Sequence, residues 1–296
     1  MKLSGAPDKR PGKPAQTPGP IPMVAATGAP AALRAPIGAA EPRAPAVAGL
    51  VYAIGDIHGM DDLLAEMLAA IDADAAAHGL PATVVFLGDA VNRGPQTRQV
   101  LDRLAGGPDR PDRRWIVLRG NHEQAMLEAL TIDDEGRFRR WLKMGGMHSL
   151  ASYGGTLKDA TPGRARELIG GVHVDFLAGL PLAHVAGAHL FVHAGVEPGV
   201  PLHLQRAQML MTIRGAFFRQ AHCLPYTVVH GHTRTAGRPL LGPGRIGVDT
   251  GAYATGILTA LAIGPLPADP RFIRVAGSHR PARGAEQTVR PTGQHQ

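Results

Sequence analysis

Five short apolar runs in this chain each end in a glycine-flanked polar signature, and that repetition limits what the chain can fold into. Leu50–Ile54 leads into Gly55-Asp56-Ile57-His58-Gly59, and Thr83–Leu87 into Gly88-Asp89-Ala90-Val91-Asn92-Arg93-Gly94. Trp115–Leu118 leads into Gly120-Asn121-His122-Glu123, Leu190–Val192 into His193-Ala194-Gly195, and Thr227–Val229 into His230-Gly231-His232-Thr233. Short β-branched runs bounded by glycine read as buried strands. A sixth run, Ile257–Ile263, reads the same way. Between the runs lie helical patterns. Met60–Ala77 places Leu63, Leu64, Met67, Leu68 and Ile71 on one stripe, with Asp61 and Asp62 at the end where the helix dipole favours negative charge. Thr97–Leu104, ended by Gly106-Gly107, and then Glu123–Leu130 and Phe138–Met144 continue the alternation. Strand and helix in alternation predict an α/β fold with buried sheets.

In open α/β sheets, ligands bind outside the carboxyl ends of the strands. Five such ends carrying Asp, His, Asn and His can therefore meet at one centre, with glycines letting the backbone turn sharply beside them. Each motif alone has a plain structural explanation, since a single Asp caps helices and a single His packs. The series together points to a shared metal site. Mixed carboxylate, imidazole and amide donors suit borderline metals such as manganese, iron or zinc. The donors outnumber the places on one tetrahedral zinc, whereas two divalent ions sharing a carboxylate account for them. Such pairs clamp phosphoryl groups and activate a bound water.

Composition narrows the partners. The net charge is +7, but residues 1–48 hold six Lys/Arg against two Asp/Glu, and residues 276–296 hold three Arg against one Glu. Little of the charge is left for the segment between, so a nucleic-acid surface is not expected. Residues 1–48 contain ten prolines and no aromatic residue, and both 1–48 and 276–296 are expected to be disordered tails around a catalytic domain at 49–275. No apolar run approaches about 18 residues, so no membrane span is expected. Prolines interrupt every apolar stretch near the N-terminus, and the lone Cys223 fits a reducing compartment, so a cytoplasmic location is the expectation. The acidic pair Asp72 and Asp74 reads as a solvated face, and Gly242-Pro243-Gly244 as a hairpin turn.

The motif series resembles the phosphoprotein phosphatase family of the calcineurin-like metallophosphoesterases, most closely its bacterial members. The resemblance runs from about Val51 to Ile263 and includes Trp141-Leu142-Lys143-Met144-Gly145-Gly146, Ala151-Ser152-Tyr153-Gly154 and Ile246-Gly247-Val248-Asp249-Thr250-Gly251-Ala252. It implies two mixed β-sheets packed face to face and flanked by helices. It implies two divalent metal ions, manganese first and iron or zinc as alternatives. Asp56 and His58 match ligands of the first metal, Asp89 the bridging carboxylate, and Asn121, His193 and His232 ligands of the second. His122 matches a general acid, and Arg93 and Arg214 match phosphate-binding arginines. His230 and His232, two apart, would face the same side of a strand; only the resemblance selects His232.

One position departs from the pattern. Where the family has GDxxDRG, with the second Asp bonded to the catalytic His, this chain has Asn92. An amide brings no charge to hold an imidazolium, so a lower pKa for His122 is expected, with weaker activity or a lower pH optimum. The resemblance implies a phosphomonoesterase, with a serine/threonine protein phosphatase first and a phosphorylated protein or small phosphoester as substrate. A symmetrical diadenosine tetraphosphate hydrolase is the alternative, and a degenerate, non-catalytic phosphate-binding protein a more distant one.

Overall fold

The computed structural model describes residues 49–264 and 270–277. The expected tail 1–48 lies outside the described residues, as does the second tail apart from 276 and 277. Among the described residues, ten strands form two five-stranded sheets. The first contains β1 (Leu50–Ile54), β2 (Ala82–Phe86), β3 (Arg113–Val117), β9 (Ile257–Ile263) and β10 (Arg271–Ala276), in the order β10-β9-β1-β2-β3. The second contains β4 (Ala183–Ala186), β5 (His189–Val192), β6 (Thr227–His230), β7 (Leu240–Gly242) and β8 (Arg245–Gly247), in the order β4-β5-β6-β8-β7. Each sheet is mixed: β1, β2 and β3 run parallel, as do β5, β6 and β8, while β9, β10, β4 and β7 pair antiparallel.

The period of two along β1 explains why its sequence is apolar throughout. Val51 and Ala53 join Val85, Leu87, Phe191, Val229, Ile246 and Leu261 in a core between the sheets. Leu50, Tyr52 and Ile54 point the other way, into a core with Leu63, Leu64, Met67 and Ile71 of α1 (Asp61–His78) and Val100 and Leu101 of α2 (Thr97–Gly106). A strand buried on both faces reads as an unbroken hydrophobic run rather than an alternation. The outer face of the second sheet is covered in the same way, with Leu190, Val192 and Val228 packed on Leu210 and Phe217.

The strands that sequence pattern does not reveal are short or lie at edges. β10 and β4 are edge strands with part-exposed residues, and β7 and β8 are three residues each. β7 and β8 form the hairpin expected around Gly242-Pro243-Gly244. Asp72 and Asp74 correct the solvated-face reading. Asp72 accepts from Arg113 at 2.7 Å, and Asp74 accepts from the Tyr52 hydroxyl at 2.6 Å and from Arg271 at 2.9 Å. Asp74 thereby ties α1 to the edge strand β10. Among the described residues, no helix is long and apolar enough to cross a membrane.

Candidate metal centre

The two sets of parallel strands deliver their carboxyl ends to one cleft. Asp56 and His58 follow β1, Asp89 to Arg93 follow β2, His193 follows β5 and His232 follows β6. After β3 the chain turns into α3 (Asn121–Thr131), so Asn121 and His122 occupy the first helical turn rather than a strand end. A sixth strand end, that of β8, adds Asp249 and Tyr253. A cavity of about 360 Å³ is lined by Asp56, His58, Asp89, Asn121, His122 and His232, with Arg93, Arg214 and Arg234 at its sides.

The backbone is strained where these side chains gather. Among the described residues, the non-glycine positions with positive φ are His58 (47°), Asp89 (52°), Asn92 (70°), Arg93 (70°) and His232 (61°). Such conformations cost of order 1–3 kcal/mol each and persist only where surrounding structure holds them. They also correct the strand argument about His230 and His232. His230 ends β6 and packs its ring against Phe217, with centroids 5.4 Å apart. The left-handed turn at His232 breaks the alternation and swings that ring to within 5.0 Å of His193 in the cleft.

Glycine provides the remaining space. A Cβ on Gly120 would fall 2.2 Å from Asp89 Oδ1, and one on Gly231 would fall 2.1 Å from Asp56 Oδ1. Glu123 holds the β2 loop in place. One of its oxygens accepts the N–H groups of Asp89 (2.7 Å) and Gly120 (2.8 Å), and the other those of Ala90 (2.7 Å) and Val91 (3.2 Å).

Asp89 is central. Its Oδ2 lies 3.7 Å from His58 Nε2 and 3.8 Å from His122 Nε2, while its Oδ1 lies 3.4 Å from His193 Nε2. One oxygen thus faces each half of the site, as a carboxylate shared between two cations would. Two clusters of possible ligand atoms result, His58–Asp89–His122 and Asp89–His193–His232. Asn121 Oδ1 lies 3.1 Å from His193 Nε2. Asp56 stands beside the first cluster, and both its oxygens accept the backbone N–H of His232 (3.1 and 3.2 Å). The rings are oriented from behind: His58 Nδ1 faces Val91 O at 2.9 Å, and His193 Nδ1 faces Leu87 O at 2.8 Å.

The electrostatics call for cations. Asp56, Asp89, Glu123 and Asp249 are all buried, and among the described residues no Lys or Arg nitrogen pairs with any of them within 4.0 Å. Burial, aided by the charges of Asp249 and Asp89, holds Asp56 well above the usual carboxylate range. Burial raises Asp89 and Glu123 to about 7 and Asp249 to about 6. Burial also lowers His58 and His232 to about 3 and His193 to about 4, leaving neutral imidazoles ready to act as ligands. Deprotonated carboxylates and neutral imidazoles are what divalent ions require, so the donor set fits two such ions.

Asn92 lies at the back of this cluster. Its Oδ1 accepts from Trp141 Nε1 (2.9 Å) and Ser149 Oγ (2.8 Å), and its Nδ2 lies 2.9 Å from His122 Nδ1. Trp141 ends α4 (Glu135–Trp141), and Ser149 belongs to α5 (Met147–Ser152). Indole N–H is only a donor, so it fixes which end of the amide faces His122. In the widened turn Leu142–Gly146 between those helices, Gly145 O accepts the N–H of Arg93 at 3.4 Å.

Arg93 and Arg214 both reach the cleft. Arg93 lies 3.3 Å from His122 Nε2, and Arg214 donates to His232 Nε2 at 3.1 Å. The structure thus brings together all ten residues singled out from the sequence. Sequence reasoning assigned no site role to Trp141, Ser149, Asp249, Tyr253 or Arg234. Asp249 repeats the signal of the others, an apolar strand running into Asp-Thr-Gly.

The family model described as calcineurin-like phosphoesterase matches residues 49–239. A symmetrical bis(5'-nucleosyl)-tetraphosphatase from Bordetella parapertussis is 31% identical over 152 residues, 50% of this chain and 44% of that protein. The match therefore spans less than half of the relative's length. A crystal structure of a candidate diadenosine tetraphosphatase superposes with a TM-score of 0.52 at 24% identity, over 79% of this chain and 96% of that one. The cold-active protein-tyrosine phosphatase of a psychrophilic Shewanella gives 0.53 at 17% identity, over 80% of both chains. At these identities the structural likenesses establish the fold of two mixed sheets flanked by helices.

Proposed function

Because the chain belongs to the calcineurin-like phosphoesterase family, we propose that it is a metal-dependent phosphoanhydride hydrolase that cuts a bis(5'-nucleosyl) tetraphosphate symmetrically into two nucleoside diphosphates. The observation that carries this reading is the amide of Asn92 donating to His122 Nδ1. A general acid for an alkyl phosphate must be an imidazolium, with N–H on both nitrogens. Here Nδ1 faces an amide donor whose orientation Trp141 fixes, and burial together with the charges of His58 and Arg93 pushes the His122 pKa down. A serine or threonine alkoxide cannot leave without a proton. A nucleoside diphosphate can, because its terminal phosphate titrates near about 6. The relatives named as symmetrical tetraphosphatases support the same choice. The order of readings taken from the sequence, with a phosphoprotein substrate first, is therefore reversed.

In this reading Asp56, His58 and Asp89 hold one divalent ion, and Asp89, Asn121, His193 and His232 hold the other, with manganese the first choice. When bound, the ions supply Lewis acidity and a nucleophilic water. Arg93 and His122 act on the phosphoryl oxygens. With Nδ1 accepting from Asn92, the neutral ring carries its proton on Nε2, so Nε2–H and the Arg93 guanidinium face each other as two donors 3.3 Å apart. A phosphoryl oxygen between them relieves that opposition and accepts both, stabilising charge as it builds in the transition state. Arg214 takes another phosphoryl oxygen from the His232 side.

The test is to incubate the manganese-loaded protein with diadenosine tetraphosphate and, separately, with a phosphoserine peptide, and to resolve the products by chromatography. ADP as the sole nucleotide product, at a kcat/KM well above that for the peptide, is the expected result. Faster release of phosphate from the peptide would overturn the reading.

A further inference from the structure

We infer that Arg234 and Tyr253 form a second anion subsite, beside the one at which hydrolysis occurs, that holds the next phosphate of a polyphosphate chain. This deepens the tetraphosphate reading and rests on it for the natural substrate. Arg93 Nη1 donates to Tyr253 Oη at 2.5 Å, and Arg234 Nη1 donates to the same oxygen at 2.9 Å. Both guanidinium groups also lie against the Tyr253 ring, with Cζ 4.7 and 5.6 Å from its centroid. Two cations are thus drawn to one hydroxyl oxygen, and among the described residues neither makes an ion pair within 4.0 Å, although the buried Asp249 carboxylate lies close enough to feel both charges. Two like charges facing a cleft with one buried carboxylate between them and no direct ion pair mark a place for an anion.

The seat is built rather than incidental. The aliphatic stem of Arg234 lies over Gly251, where a Cβ would fall 2.6 Å from its Cδ, so any side chain at 251 would displace it. Gly251 N–H in turn donates to Asp249 Oδ1 at 2.9 Å, fixing that turn to the floor of the site. Beside Arg234, Thr233 lines the cavity, and its buried hydroxyl has no hydrogen-bond partner among the described residues. Tyr253 links the two arginines in series. Arg93 touches His122, where the reacting phosphate sits, and Arg234 stands one guanidinium further out. Of these two arginines a monophosphate engages Arg93 alone, whereas a polyphosphate, whose neighbouring phosphates share a bridging oxygen, engages both.

Calorimetric titration with inorganic tripolyphosphate and with orthophosphate, at saturating free manganese, tests the subsite. The wild-type protein is expected to bind tripolyphosphate more tightly, and Arg234→Met to lose at least about ten-fold more affinity for tripolyphosphate than for orthophosphate, the scale of one charge-assisted contact. Arg234→Lys should recover part of the loss. Tyr253→Phe, which removes the shared oxygen and keeps the ring, should shift the same ratio by a smaller factor and provides the reading if Arg234→Met does not fold. Equal losses for both anions, no loss for either, or no preference in the wild type would overturn the inference. An Arg234-dependent preference without cleavage of diadenosine tetraphosphate would leave the subsite standing and remove the proposed substrate. Cleavage without that preference would do the reverse.

Discussion

The floor of the cleft carries Asp56, Asp89 and Asp249 in buried positions, with the buried Glu123 behind them, whereas its rim carries Arg93, Arg214 and Arg234, the last two exposed. The two regions hold opposite charge and are held in opposite ways. Floor residues are fixed by backbone: Glu123 takes four N–H groups, and Asp56 takes the N–H of His232. Rim residues are fixed by side chains, Arg93 and Arg234 by Tyr253 and Arg214 by His232. A floor with this much buried negative charge demands cations, while a rim with unpaired guanidinium groups demands an anion. A metal-bound phosphate between them would satisfy both. In the proposed reading the difference assigns metal affinity to the floor and substrate choice to the rim, and each of the following variants acts on one side of that division.

The largest effect is expected at Asp89, the carboxylate that faces both clusters. Asp89→Asn should lower metal affinity by more than about a hundred-fold, beyond the 10–100-fold typical of residues that merely support ligands, and abolish measurable turnover. Metal content by plasma mass spectrometry checks it, and full metal occupancy would erase the division. Arg214→Met should leave metal content intact and cut kcat by about a hundred-fold, the usual cost of one donor to developing charge. A loss of metal there would make Arg214 part of the floor.

The floor should also reveal itself in stability against pH. The folded histidines, lowered to about 3 or 4, are already neutral at pH 6.5, while those of the unfolded chain still titrate there, so the acids are read from the difference between manganese-loaded and metal-free protein, in which the unfolded-chain contribution cancels. Asp89 and Glu123, raised to about 7, still hold protons that the unfolded chain has already released. A raised acid stabilises the fold at low pH, and that contribution is lost as pH rises through the folded-state value. The stabilisation that manganese confers should therefore grow by about 1 kcal/mol between pH 6.5 and 8, as Asp89 no longer has a proton to give up on binding. Denaturant melts at the two pH values, with and without metal, read this directly, and a manganese stabilisation that does not grow with pH would contradict the picture of an uncompensated floor.

The smallest effect is the most diagnostic for mechanism. Asn92→Asp gives His122 Nδ1 a carboxylate while one oxygen remains to accept from Trp141 and Ser149. The kcat/KM ratio of phosphoserine peptide to diadenosine tetraphosphate should rise about ten-fold, the low end of what a positioned acid contributes. An unchanged ratio would mean that Asn92 does not govern the choice of leaving group.

The floor was legible in the chain because strand ends write themselves into sequence. An apolar run, a glycine and then a carboxylate or imidazole is a local pattern, and five of the six strand ends were found by it. Asp249 escaped because its strand, β8, is three residues long and gives almost no run to notice. The rim and the back of the site were harder. Trp141 and Ser149 lie 49 and 57 residues from Asn92, and Tyr253 lies 160 from Arg93. No periodicity joins residues so far apart.

By itself, then, the sequence determined the α/β alternation, the buried faces of β1 and α1 and the donor types gathered in the cleft, because each follows from spacing within a few residues. Tertiary structure alone decided which atom of Asn92 faces His122, which of His230 and His232 enters the cleft, and that Arg234 stands beside Arg93. Those outcomes depend on hydrogen-bond direction and on left-handed turns at single residues. Such features are set by what packs around a residue, not by its neighbours in the chain.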